Sequence, residues 1–322
     1  MELNDQPDHS LPLSTDDEAY VTISALEGGH LTLPERFFVT AADPEKKTTV
    51  PSLCFLIRHP SLGNNGRPTT NLVFDLGLKR DLNQYTPAMA AHIHNRQPII
   101  TNPDCAGSLR AGGFEPHTDI DIVMLSHIHW DHVGTPSDYK SAKFFVGSGT
   151  LHVLDNGAGP YYPAEQFNKD LLPRQATYEF PPSSVSDPSK ASDQQTGHVW
   201  KSFGGFKNAL DLFGDGSVWV IDTPGHITGH VNLLARIGKD QWVYLGGDCC
   251  HDRRLLTAEK GIGMYDDGHG RQRSVHMDTD KARQTLNSIR DFLGKNTAVQ
   301  IIVAHDIEWR EKNSDRFLPG KI

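Results

Sequence analysis

The chain has 322 residues, 37% hydrophobic and 22% charged, with a net charge of −9 from 31 basic and 40 acidic side chains. This is a globular composition, and the chain is long enough to bury a substantial core without disulfide or structural-metal staples. The acidic balance argues against a nucleic-acid partner outside a local basic groove. No apolar run reaches the ~18–20 residues that span a bilayer, so no membrane partner is expected either.

Residues 1–18 are polar and acidic and read as a loose N-terminal tail, without the basic and apolar regions of a signal peptide. Cys54, Cys105, Cys249 and Cys250 show no C-x-x-C spacing, which suits a reducing, cytoplasmic location. From Ala19 to Val50, short apolar runs alternate with Gly-Gly and Pro, as in strands joined by loops. The runs Ser52–Arg58 and Asn71–Asp75 are β-like and flank a Gly63-Asn-Asn-Gly66 turn, so a hairpin or two adjacent strands is expected. Residues 181–197, rich in Pro, Ser, Asp and Gly, read as a surface loop inserted into a single domain covering 19–322. Asp278–Gly294 carries the clearest helical pattern, with Ala282, Leu286, Ile289 and Leu293 on one stripe. Asp278 or Thr279 is its N-cap and Gly294 its stop.

The chemistry lies in the placement of the 17 histidines. Four β-like runs each end on His or Asp. Ile122–Leu125 leads into Ser126-His-Ile-His-Trp-Asp-His132, and Val218–Asp222 into Thr223-Pro-Gly-His-Ile-Thr-Gly-His230. Trp242–Leu245 leads into Gly246-Gly-Asp248, and Ile301–Val303 into Ala304-His-Asp306. Ligands in α/β architectures bind outside the carboxyl ends of strands, so these four ends are expected to converge. His127 and His129 are two apart and share a side of an extended chain, where they can grip one ion. Asp131 and His132 follow where the chain turns and face a neighbouring position, so one segment can serve two adjacent metals. Imidazole and carboxylate donors suit Zn²⁺, with Fe and Mn as alternatives.

Together, Ser126–His132, Thr223–His230, Gly247-Asp248 and Ala304–Asp306 resemble the metallo-β-lactamase superfamily signature. Asn71–Gly77 resembles the strand that precedes it in that family. The resemblance runs from about residue 20 to 310, with the loop 155–210 unmatched in detail. It implies an α/β fold, an αββα four-layer sandwich with a dinuclear centre in a cleft at the sheet edges. By position it implies one metal on His127, His129 and His230, a second on Asp131, His132 and His305, and Asp248 as the bridge. Trp130 and the compact layout look most like the N-acyl homoserine lactonase branch, which also includes hydrolases of other lactones and of lactams. Lactonases of that branch carry a substrate-orienting tyrosine three residues after the bridging aspartate. Here that position is His251, with Tyr265 as a loop-borne substitute.

Among the remaining candidates, His226 reads as a supporting group. Asp75, Asp222 and Asp306 are candidates to hydrogen-bond the far nitrogen of a ligating imidazole. Cys249 and Cys250 read as buried, inert thiols. His251, His269 and His276 fall in a segment expected to rim the cleft, and Trp130, Phe37, Phe38, Met264 and Tyr265 are candidates to line it. The expectation is a two-zinc hydrolase that opens a small-molecule lactone or lactam by attack of a metal-bridging hydroxide. Asp131 is the expected proton shuttle and His251 the substrate contact. A glyoxalase II-like thioesterase on the same ligands and a mono-iron sulfur dioxygenase are the alternatives.

Overall fold

In the first half of the chain, strands β1 (Thr22–Pro34), β2 (Lys47–His59), β3 (Thr70–Phe74), β4 (Ile122–Met124), β5 (Lys143–Val146) and β6 (Thr177–Glu179) form one sheet in that order. Pairing is antiparallel from β1 to β3 and parallel from β3 to β6. The second half supplies β7 (Lys201–Phe203), β8 (Phe206–Asp211), β9 (Val218–Asp222), β10 (Val231–Gly238) and β11 (Gln241–Leu245). It continues with the short pair β12 (Tyr265–Asp266) and β13 (Gln272–Arg273), and with β14 (Val299–Ile302). The second six-stranded sheet runs β14-β11-β10-β9-β8-β7. This computed structural model describes residues 10–12, 15, 18–61, 63 and 66–322. Most of the expected tail, and Asn64 and Asn65 of the expected turn, lie outside the described residues.

Three apolar layers hold the sandwich. Between the sheets, Ile23, Phe55, Ile57 and Phe74 of the first meet Val218, Val220, Leu233 and Val243 of the second. On the outer face of the first sheet, Leu56, Val73 and Val123 pack with Leu109, Leu151 and Leu154, which come from the helices Cys105–Ala111 and Thr150–Asn156. On the outer face of the second, Trp219, Ile221 and Tyr244 pack with the helix Thr279–Lys295. The result is the four-layer αββα order.

That last helix starts where its sequence indicates: the Asp278 carboxylate accepts from the Lys281 N–H at 3.0 Å. It runs through Gly294 to Lys295, so the glycine does not end it. Its buried stripe is Ala282, Leu286, Ile289 and Phe292, with Leu293 only half-buried. Phe292 is drawn in because its ring packs on Phe206 (centroids 5.1 Å apart) over the bare backbone of Gly204.

Strands β2 and β3 are adjacent and antiparallel, with Phe55 opposite Phe74. β1 departs from the sequence expectation, since Gly28-Gly29 does not break it into two strands joined by a loop. The strand is continuous over 13 residues, with a register shift between Glu27 and His30. A Cβ on Gly28 would stand 2.2 Å from the Ser52 carbonyl oxygen, so only glycine lets the bulge pack this closely. The segment 181–197 is tied to the edge of the first sheet. Glu179 donates its N–H to the Gln194 carbonyl, and its own carbonyl accepts from the Thr196 N–H. Among the described residues no helix is long and apolar enough to cross a membrane.

Gly77 follows β3 at φ +68°, where a Cβ would come within 2.2 Å of the Gly28 carbonyl oxygen. Gly77→Ala is expected to cost about 2–4 kcal/mol, from left-handed backbone strain plus overpacking. A urea titration would read this as a lowered midpoint; an unchanged midpoint would show that the two chain segments separate freely.

Candidate metal centre

The loops leaving β3, β4, β9, β11 and β14 meet at one edge of the sandwich. β3 ends at Phe74, and Asp75 then takes φ +60°, a left-handed conformation that aspartate tolerates better than most residues. The turn aims its carboxylate back across the top of β4. Oδ1 accepts from the Ser126 N–H at 2.6 Å, while Oδ2 faces Ser126 Oγ at 2.7 Å and His132 Nδ1 at 2.9 Å. His132 is thereby oriented with Nε2 directed inward.

Asp248, buried at the exit of β11, is the centre of the cluster. Its Oδ1 lies 3.2 Å from His132 Nε2 and 3.3 Å from His305 Nε2. Its Oδ2 lies 3.0 Å from His251 Nε2, 3.4 Å from His226 Nε2 and 3.8 Å from His127 Nε2. Three groups able to hold an ion result: His127, His129, His226 and Asp248; Asp131, His132 and His305; and Asp248, His251 and His305. Within each group the ligand atoms lie within 4.8 Å of one another. Other contacts orient the rings: Ser126 Oγ meets His127 Nδ1 at 3.0 Å, and His305 Nδ1 donates to the Pro51 carbonyl at 2.8 Å.

Electrostatics divides the cluster. Burial, reinforced by neighbouring imidazoles, holds His127 well below the ordinary histidine range, and burial pushes His129 down to about 3. These rings are neutral, with lone pairs free to ligate. Burial opposes ionisation of Asp248, but the imidazoles of His132, His251 and His305 hold its carboxyl well below the usual range. Burial likewise opposes a charge on His132, yet the carboxylates of Asp248 and Asp75 raise its pKa.

The residues present fit divalent cations. Among the described residues, the buried atoms His129 Nε2, His132 Nε2, His305 Nε2 and Asp248 Oδ1 have no partner in hydrogen-bonding geometry, even where they approach one another at 3.2 and 3.3 Å. His129 Nδ1 stands 3.0 Å from His127 Nε2 and 2.8 Å from His226 Nε2. Converging nitrogen and oxygen donors left unsatisfied in a buried site are costly unless a cation takes their lone pairs.

One expected ligand changes place. His230 spends both ring nitrogens on the protein: Nδ1 meets Thr223 Oγ1 at 2.9 Å, and Nε2 accepts from the Asp248 N–H at 3.1 Å. The structure therefore puts His226, expected only as a supporting group, into the ligand cluster, and His230 into the supporting position. Gly225 at φ +128° and Gly229 at φ +81° set the turns that decide which ring faces inward.

Of the three carboxylates expected behind the imidazoles, only Asp75 reaches one. Asp306 pairs with Arg253 (2.6 Å) and caps the Trp309 N–H, while Asp222 accepts from Ser183 Oγ (2.5 Å) and Asn208 Nδ2 (3.3 Å). Tyr265 sits away from Asp248, its hydroxyl 3.4 Å from the Ser274 carbonyl and its ring edge-on to Phe37. His269 is on the exposed loop, whereas His276 is buried, with Nδ1 3.2 Å from His226 Nδ1. Cys249 and Cys250 are buried free thiols.

A chamber of about 90 Å³ lies over the cluster, with Trp130, Phe38, Asp131 and His251 in its wall. Met264 is not part of that wall: its sulfur is at the surface, 4.0 Å from Arg283 Nη2. Tyr162 and Arg96, which sequence patterning did not single out, do line the chamber, and the Tyr162 ring lies 5.1 Å from that of His129.

No family model matches the chain. It is 30% identical over 294 residues to cytochrome P450 monooxygenase mpaDE of Penicillium roqueforti, covering 85% of this chain and 32% of that protein. The chain spans about a third of the length of the three Penicillium relatives that carry this name. Gamma-lactamase MBL2 of Gibberella moniliformis is 29% identical over 187 residues, 56% of this chain and 70% of that one. A variant of AiiA from B. thuringiensis, solved with N-decanoyl-L-homoserine at its active site, shares the fold with a TM-score of 0.64. It is 17% identical, and the match covers 95% of this chain and 100% of that one. The chain has the metallo-β-lactamase fold. Gamma-lactamases and N-acyl homoserine lactonases stand among the proteins it resembles.

Asp75 is the carboxylate behind a candidate ligand, and groups in that position typically govern metal affinity by 10–100-fold. Asp75→Ala is expected to weaken zinc retention by about that factor, read by competition with a chromophoric chelator. Retention equal to wild type would mean that packing alone orients His132. Asp222 offers a pH test. Burial raises its pKa from 3.8 to about 6, so its contribution to stability is full below 3.8 and is lost as pH rises through about 6. Asp222→Asn removes that loss. Its denaturation midpoint relative to wild type is expected to climb between pH 4 and 7, and a flat difference would place the ionised carboxylate in a solvated setting.

Proposed function

We propose that this protein is a metal-dependent hydrolase that opens a cyclic ester or cyclic amide. The observation that carries the reading is Asp248, whose two oxygens face separate sets of imidazole nitrogens at 3.0–3.8 Å. In this assignment His127, His129, His226 and Asp248 would hold one ion, and Asp131, His132 and His305, with Asp248 between the two sets, would hold the other. Zinc is the ion that best suits this nitrogen-and-oxygen set, with iron and manganese as alternatives. Bound there, two such ions supply Lewis-acid polarisation of a carbonyl oxygen and a nucleophile from water at neutral pH.

The chain's own residues do the rest. Leu33, Phe38, Met89 and Trp130 wall the chamber with apolar surface and limit the entry of bulk water. The oxygen of water bonds to the carbonyl carbon, the ring C–O or C–N bond breaks, and a proton passes to the leaving oxygen or nitrogen. Asp131, in the chamber wall with Oδ2 3.6 Å from His305 Nε2, is the carboxylate placed to carry that proton. His251 is held at 3.0 Å from Asp248 Oδ2 between the rings of Phe38 and His305, where it orients the substrate carbonyl. A lactamase among the relatives and a lactonase among the fold neighbours support a cyclic substrate. Four buried, free cysteines support a cytoplasmic location, and the layered core supports one domain over 19–322.

Acid release from matched lactone, lactam and thioester substrates tests the reading with zinc-loaded protein. Turnover of a cyclic substrate is expected, together with two bound ions per chain. Asp248→Ala is expected to lower turnover by about three orders of magnitude and to lose metal while keeping its circular dichroism. Hydrolysis of thioesters alone would move the assignment to a thioesterase, and oxygen uptake by iron-loaded protein would move it to a dioxygenase.

A further inference from the structure

The metal-site chamber opens into a second cavity of about 770 Å³, and the two share His92, Arg96, Tyr162, Gln166 and Val275. The wall of this outer cavity carries four cationic side chains, Arg36, Lys47, Arg96 and Arg273, and among the described residues no carboxylate. In a chain of net charge −9, that is a marked local reversal of sign. It raises the local concentration of anions at the mouth of the site.

Arg96 and Arg273 are the two that stand out. Elsewhere arginines at this end of the molecule meet acids: Arg254 pairs with Glu35 and Asp252, Arg253 with Asp306, and Arg310 with Glu27. Arg273 instead donates its Nε to the Ser274 carbonyl and lies 3.8 Å from the Tyr161 ring centroid, with its terminal nitrogens unpaired by any acid among the described residues. Arg96 lies 5.8 Å from the Phe37 ring and likewise has no carboxylate partner among them. Burial lowers the Arg96 pKa, and the charge of Asp131 offsets this only in part. A partly desolvated guanidinium with open donors matches a planar anion in bidentate geometry. Beside the pair, Tyr162 and Tyr265 offer flat ring faces, and the Tyr162 hydroxyl is already committed to the Val275 carbonyl at 2.7 Å.

We propose that the outer cavity is a carboxylate subsite: the cyclic substrate opened at the metal centre carries an anionic arm that Arg96 and Arg273 hold, with its body against Tyr162 and Tyr265. This deepens the hydrolase assignment and rests on it. Ring opening then leaves a second carboxylate at the metal end, so the product is a dianion anchored at both ends of the paired cavities.

The test compares a five-membered lactone bearing a side-arm carboxylate with its primary amide, using zinc-loaded wild type and the Arg96→Gln/Arg273→Gln double variant. Wild type is expected to favour the carboxylate by about 10–100-fold in kcat/KM, expressed in KM. The double variant is expected to lose that preference, its KM for the carboxylate rising far more than its KM for the amide. The Arg96→Lys/Arg273→Lys variant keeps the charge and is expected to restore part of the preference, which separates loss of charge from loss of fold. Equal handling of the two lactones by wild type, or a preference that survives in the glutamine variant, overturns the subsite. Equilibrium quenching of tryptophan fluorescence by the same compounds reads binding without turnover. If neither lactone is hydrolysed, the hydrolase assignment fails, while the binding preference and its loss in the double variant still decide the subsite.

Discussion

One buried carboxylate organises this molecule's working edge. Asp248 stays ionised, against the cost of its burial, because five imidazole nitrogens face its two oxygens. Those imidazoles come from segments following β4, β9, β11 and β14, on both sheets of the sandwich. The sheets are held together by apolar packing, which is non-directional and tolerates small slides. Registering their edges to within an ångström requires directional contacts, and the Asp248 cluster supplies them.

Asp75 performs the matching task within the first sheet. Its left-handed backbone sends the carboxylate across to β4, where Ser126 and His132 both engage it. The strain of that conformation is offset by hydrogen bonds to a backbone N–H, a hydroxyl and an imidazole. Gly77, just beyond, lets the chain pass against the β1 bulge at Gly28. The bulge and the metal cluster are thus parts of one local packing solution, although some fifty residues separate Gly28 from Asp75 and another fifty separate Asp75 from Ser126.

Much of this was legible in the chain. Alternation marked β2 and β3, and the spacing of His127, His129, Asp131 and His132 marked a two-sided ligand segment, because side-chain direction in an extended strand follows a simple period. The exchange of His226 for His230 was not legible. Both follow β9 in a turn where glycines at positive φ aim the rings, and no period describes such a turn. Arg96, Arg273 and Tyr162 were missed for a different reason. They reach the cavities from three distant segments, with no spacing signal, and the two arginines are distinguished only by having no acidic partner among the described residues. A double glycine in β1 misled in the opposite sense: glycine marks both loops and bulges, and tertiary contact with Ser52 decides which.

The start of the helix Thr279–Lys295 rests directly on the His226 turn. The Met277 N–H donates to the His226 carbonyl (2.8 Å), the Asp278 N–H to the Gly225 carbonyl (2.9 Å), and Thr285 Oγ1 to the Pro224 carbonyl (2.7 Å). A Cβ on Gly225 would meet the Ala282 backbone at 2.3 Å, so there is no slack between the two. Helix ends fray before helix middles, and this end is the clamp on one imidazole of the cluster. The seating of a surface helix is thereby geared to the fit of a buried ring, so the outermost layer of the sandwich has a direct mechanical link to the site.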